Sequence, residues 1–185
     1  MPEARQAYVA LLRGINLLGR NKVPMKELAA LCEKVGCCEV RTYIASGNVV
    51  FAAPSGGCDG LGEKISAAIE EQMGHRPVVL LRSLKEMKAI VRGNPFLEAG
   101  ADANLLHVMF LSDKPSAEAV KTLDPNRSPG DEFIVRGKDI YLKLPNGVAE
   151  SKLNNQFFDS RLKIVSTGRN WRTVTTLLEM MKEIE

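Results

Sequence analysis

The sequence predicts an α+β fold built from two split βαββαβ units in tandem. Three observations predict it. The order strand, helix, strand, tight turn, strand, helix, strand occurs twice, from about Tyr8 to Leu81 and from about Leu105 to Val165. Each pass carries a hairpin turn with a glycine, Gly47 in the first and Gly137 in the second. Between the passes, Ser83-Leu-Lys-Glu86 has the spacing of a capping box and opens one extra helix. The expectation is two ferredoxin-like subdomains, residues 1–82 and 104–185, joined by a connector helix and loop at 83–103, with an additional C-terminal helix.

The elements follow in order. Tyr8-Val-Ala-Leu-Leu12 is a continuous apolar run, as a covered central strand requires. Pro24 stands at a helix start, Met25, Leu28, Ala29, Cys32 and Val35 share one helical face, and Gly36 ends it. Val40–Ile44 and Val49–Phe51 read as strands around the compact turn Ser46-Gly47-Asn48. Residues 53–60 form a glycine-rich loop before a helix marked by Leu61, Ile65 and Ile69, and Pro77–Leu81 close the first pass.

In the second pass, Leu105–Leu111 is a strand and Ser116–Leu123 a helix. Phe133–Val135 and Ile140–Leu144 form a hairpin, and a helix runs from about Glu150 to Ser160. Lys163–Val165 is expected as the closing strand. Trp171–Ile184 is expected as a final helix, with Val174, Leu177, Leu178 and Met181 on one stripe.

Composition narrows the function. A chain of 185 residues that is 45% hydrophobic can bury a core, and a net charge of +3 argues against a protein basic over its whole surface. Any polyanion site is therefore a local patch. The four cysteines show no C-x-x-C spacing and lie far from the two histidines, so neither a zinc site nor a disulfide framework is expected. No run approaches the ~20 apolar residues of a membrane helix. The apolar run after the amino terminus is too short for a signal peptide. The reading is a cytoplasmic protein with reduced thiols, no cofactor and no membrane partner.

Three polar segments carry side chains that no core needs. Gly14-Ile-Asn-Leu-Leu-Gly19 has the glycine spacing of a P-loop, but Arg20 and Asn21 replace the Lys and Ser/Thr that reach phosphates and magnesium. The loop is either a looser anion site using Arg13, Asn16, Arg20 and Lys22, or a polar turn whose asparagines bond their own backbone. Ser46 and Asn48 sit in the hairpin turn without a G-x-S-x-G elbow. Arg169, Asn170, Trp171 and Arg172 sit at a helix start, with Trp171 either a core anchor or one wall of a ligand site.

His107, inside an apolar strand, reads as a core histidine before a base or ligand. Base stacking of the RNA-recognition type finds Tyr8 in the first strand. It lacks the third-strand aromatics, whose places Asn48 and Val50 take.

The segments Leu11-Leu-Arg-Gly-Ile-Asn-Leu-Leu-Gly-Arg-Asn-Lys-Val-Pro-Met25, Thr42–Phe51, Asn94-Pro-Phe96, Ser151-Lys-Leu153 and Gly168–Val174 resemble the bacterial family called domain of unknown function 1697. The chain has Leu17-Leu-Gly-Arg20 where that family more often has Val-Gly-Gly-Lys. It has Gly168-Arg-Asn-Trp171 where the family has Ala-Arg-Asn-Trp. The resemblance implies an α+β fold with ferredoxin-like subdomains and carries no activity, substrate or cofactor. Three functions stay open. The first is a binding module for a phosphate-bearing ligand (a nucleotide or nucleic-acid backbone) using Arg13, Asn16, Lys22, Ser46, Asn48 and Arg169–Arg172. The second is a small-metabolite enzyme using Ser46, Thr42 or His107. The third is an interaction or assembly module of unstated oligomeric state.

Overall fold

The computed structural model describes residues 4–56 and 58–184; the expected loop at 53–60 thus includes one residue, Gly57, outside them. The chain divides into two compact units, Met1–Ala89 with Thr176–Glu185, and Ile90–Thr175. Each holds one four-stranded antiparallel sheet, so the two passes form two sheets rather than one.

In the first unit the order is β1 (Arg5–Leu12), α1 (Met25–Lys34), β2 (Cys38–Tyr43), β3 (Asn48–Pro54), α2 (Leu61–Met73) and β4 (Val79–Ser83). The sheet order is β2-β3-β1-β4, the arrangement of a split βαββαβ unit. β1 is central, with Tyr8 opposite Phe51 on one side and Ser83 on the other. Tyr8, Ala10 and Leu12 alternate onto the face covered by Leu28, Leu31 and Cys32 of α1 and Leu61, Ile65 and Ile69 of α2. Val9 and Leu11 point the other way and are also fully buried, which explains the unbroken apolar run. Each fully buried side chain of this kind contributes about 1.5–3 kcal/mol. Tyr8 stacks on Phe51 with ring centroids 6.0 Å apart inside this core. Buried there, Tyr8 offers no platform for bases, unlike the first-strand aromatic of an RNA-recognition module.

Two helices follow, α3 (Leu84–Arg92) and α4 (Pro95–Glu98). The capping box closes at the start of α3: the Ser83 N–H donates to Glu86 Oε2 at 2.7 Å and the Glu86 N–H to Ser83 Oγ at 3.3 Å. Asn94-Pro-Phe96 stops α3 and also starts α4, because Asn94 Oδ1 accepts from the Phe96 N–H at 3.0 Å.

The second unit continues with β5 (Leu106–Leu111), α5 (Ala117–Lys121), β6 (Glu132–Arg136), β7 (Asp139–Lys143), α6 (Asn155–Leu162), β8 (Ser166–Asn170) and the start of α7 (Trp171–Lys182). Its sheet order, β6-β7-β5-β8, repeats the first. Met109, Leu111, Ile140 and Leu142 pack against Phe157, Phe158 and Leu162 of α6. Together the units are consistent with two tandem ferredoxin-like subdomains.

Several boundaries shift by a few residues, and those of α6 and β8 have a local cause. α6 begins at Asn155 rather than near Glu150, because Asn154 Oδ1 caps it by accepting from the Phe157 N–H at 3.0 Å. The closing strand is Ser166–Asn170 rather than Lys163–Val165. Lys163 turns left-handed (φ 58°) to end α6, so pairing with β5 starts three residues later. The polar strand is tolerated because its groups are bonded: Ser166 Oγ donates to Asp159 Oδ1 at 2.6 Å, and Asn155 Nδ2 donates to the Ser166 carbonyl at 2.7 Å. Among the described residues no helix is long and apolar enough to cross a membrane. Nor does any group of three His, Cys, Asp or Glu stand close enough to hold a metal ion.

Candidate anion site

The loop leaving β1 is a small, bonded structure. Leu18 (φ 47°) and Gly19 (φ 76°) are both left-handed, and the Arg20 N–H donates to the Leu17 carbonyl at 2.8 Å, as in a type I′ turn. The Asn16 N–H donates to the Asn21 carbonyl at 3.0 Å, so the loop is a miniature hairpin. The Asn16 side chain anchors it. Its Nδ2 donates to the carbonyls of Val23 (3.0 Å) and Ala45 (2.8 Å), and its Oδ1 accepts from the Val23 N–H at 2.8 Å. Asn21 Nδ2 donates to the Gly14 carbonyl at 2.9 Å. The asparagines thus bond backbone, as the polar-turn reading requires.

The β2–β3 hairpin sits beside the same end of β1. Asn48 is fully buried, and its Nδ2 donates to the Tyr43 carbonyl at 3.0 Å and to Ser46 Oγ at 2.9 Å. The Leu12 N–H donates to the Gly47 carbonyl at 2.8 Å. Arg13, Asn16, Ser46 and Asn48 are therefore gathered around the carboxyl end of β1, and Lys22 stands exposed on the same loop.

On the other side of β1, antiparallel pairing sets Val79 opposite Leu12, which brings the residues before β4 to the same end. The Arg13 N–H donates to the Val78 carbonyl at 2.9 Å. Here Arg13, Asn21, His75 and Arg76 line a concavity of about 240 Å³. Arg76 donates to Glu70 Oε2 at 2.6 Å and Glu63 Oε2 at 2.7 Å; these carboxylates fix the guanidinium and raise its pKa further. Nε2 of His75 is buried without a hydrogen-bond partner among the described residues. Neither His75 nor Arg76 carries a local motif that marks it as a site residue. The available signal was topological: a basic pair directly before β4 must lie beside the end of β1 in this fold.

The remaining candidates belong to the second unit. Arg169 is only 9% exposed, and its Nη1 donates to Thr167 Oγ1 and the Gly168 carbonyl, both at 2.8 Å. Burial pulls its pKa down to about 10. Asn170 Oδ1 caps α7 by accepting from the Thr173 N–H at 2.8 Å. Trp171 is buried and Arg172 exposed. His107 is half-buried, opposite Leu142 and Asn170.

Two antiparallel βαββαβ units, each with a central first strand, define the class of fold. The chain belongs to the family described as Protein of unknown function (DUF1697), whose model matches residues 5–141. Among solved structures, it is similar to the conserved bacterial protein SP0830 from Streptococcus pneumoniae at 23% identity. That match has a TM-score of 0.74 and covers 97% of this chain and 99% of that one, which supports the fold alone. No curated protein matches the sequence.

Proposed function

We propose that this protein binds a phosphate-bearing ligand, a nucleotide or a nucleic-acid backbone, at the basic end of the first sheet. One observation carries the reading: Arg13, His75 and Arg76 line a single concavity of about 240 Å³. Guanidinium groups match phosphate oxygens bidentately, which suits Arg13, while Arg76 spends Nη1 on Glu70 and Nη2 on Glu63 and shapes the wall of the concavity. His75 brings a buried nitrogen in need of a partner. Lys22 adds charge from the exposed side of the loop. In this reading Asn16, Ser46 and Asn48 are positioning residues that hold the loop and hairpin, while Arg13, His75 and Lys22 meet the anion and Arg76, neutralised by Glu63 and Glu70, forms part of the wall. The protein works in the cytoplasm, where its cysteines stay reduced.

Calorimetric titration with pyrophosphate and with a short single-stranded oligonucleotide tests this at two salt concentrations. The expected result is binding that weakens as salt rises, with Arg13→Gln and Lys22→Gln each weakening it severalfold and Arg172→Gln leaving it unchanged. No binding of either probe, or binding indifferent to salt, overturns the proposal.

A further inference from the structure

The two sheets repeat so closely that their positions can be matched through strand register. Leu12 faces Val79 and Ala10 faces Leu81 in the first; Leu111 faces Ser166 and Met109 faces Gly168 in the second. Leu81 therefore corresponds to Gly168. Leu81 packs against the core of its unit, whereas Gly168 has no side chain to do so. The same matching sets His107 where the first unit has the buried Tyr8. Beside Gly168 and His107 the second unit has a cavity of about 260 Å³, and Met109, Leu142 and Leu153 supply its apolar lining.

We propose that this cavity is a separate binding site for a small, uncharged planar heterocycle bearing carbonyl or ring-nitrogen acceptors. Its volume lies just under the roughly 300–1,000 Å³ of sites for drug-sized molecules, which suits one or two rings. The two amides at its rim are donors by construction. Asn154 and Asn170 also line it. Each spends its carbonyl oxygen on a helix cap, Asn154 toward the Phe157 N–H and Asn170 toward the Thr173 N–H. Capping thus fixes the orientation of both amides and leaves each NH2 group for another partner, and neither has one among the described residues. His107 Nδ1 is buried and also lacks a partner there. Burial favours the neutral imidazole, and because the ring bonds the Leu105 backbone through its other nitrogen, Nδ1 stands as an acceptor for a heterocycle N–H. An apolar floor for a ring face and amide donors at the rim select an oxo-heterocycle over a hydrocarbon.

Saturation-transfer NMR with uracil, hypoxanthine and benzene tests the proposal without any phosphate group, so its outcome is independent of the anion site. The wild type is expected to bind at least one of the two heterocycles better than benzene. Gly168→Leu, which restores the side chain found in the first unit, and His107→Leu are each expected to weaken that binding at least tenfold. A Cβ at Gly168 meets only Met109, with Sδ at 3.4 Å, so Gly168→Leu has room to fold; His107→Leu decides the matter if it does not. Three results overturn the proposal: neither heterocycle binds at millimolar concentration, benzene binds as well as they do, or the folded variants bind undiminished.

Discussion

Gly47 rests directly on Leu12. Its carbonyl accepts the Leu12 N–H at 2.8 Å, its φ is +84°, and a Cβ placed on it would stand 2.8 Å from Leu12 Cβ and 2.9 Å from Ile15 Cδ1. The hairpin can lie against the end of β1 only because this residue has no side chain. Gly47→Ala is therefore expected to cost roughly 2–4 kcal/mol, left-handed strain and overpacking combined. Urea unfolding with an unchanged m-value checks it.

Asn16 ties the loop to both the residues entering α1 and the hairpin. Asn16→Ala leaves the buried Val23 N–H and two carbonyls without their partner, at about 1–3 kcal/mol. If Asn16 only positions the loop, the same variant weakens pyrophosphate binding through a disordered Arg13 and Lys22. Thermal unfolding and calorimetry on one sample read both effects.

Trp171 and Arg172 are neighbours with opposite environments, one buried and one exposed. Trp171→Ala is expected to cost about 3–5 kcal/mol as a lost core side chain. Arg172→Ala should stay within about ±0.5 kcal/mol. Arg169→Ala falls between them, because Thr167 and Gly168 lose a buried donor.

His107 gives a pH dependence whose sign is fixed. Burial lowers its pKa below the ordinary 6.5, against a smaller opposing effect of the Leu105 backbone. Between the lowered value and 6.5 the unfolded chain binds more protons than the folded one. Stability therefore rises with pH through that window and levels off above 6.5. Acidification should destabilise the wild type more than His107→Leu. Urea midpoints at about pH 5 and about pH 7.5 for both proteins check this.

The fold was legible where local chemistry and tertiary structure agree. Ser83 and Glu86 announced α3, Gly47 announced a hairpin, and the apolar run of Tyr8–Leu12 announced a central strand. It failed at β8, whose Ser-Thr-Gly-Arg-Asn sequence carries no apolar alternation and is a strand because β5 pairs with it. Asn154 lay hidden as the true cap of α6 because Glu150 and Ser151 precede it with equally helical chemistry. At the site, Arg13 and Lys22 could be picked out as cations without a core role. His75 and Arg76 could not, since they lie about sixty residues away along the chain and only the β1–β4 pairing unites them with Arg13.

The two histidines allow the central claim to be tested inside a single molecule. Pyrophosphate is titrated into protein labelled at the histidine ring nitrogens, and both imidazoles are followed by NMR. Binding at the basic end of the first sheet predicts that the His75 resonances shift with saturation while those of His107 stay in place, and that Arg13→Gln removes the effect. Unmoved His75 resonances at saturating pyrophosphate, or a shift confined to His107, would contradict it.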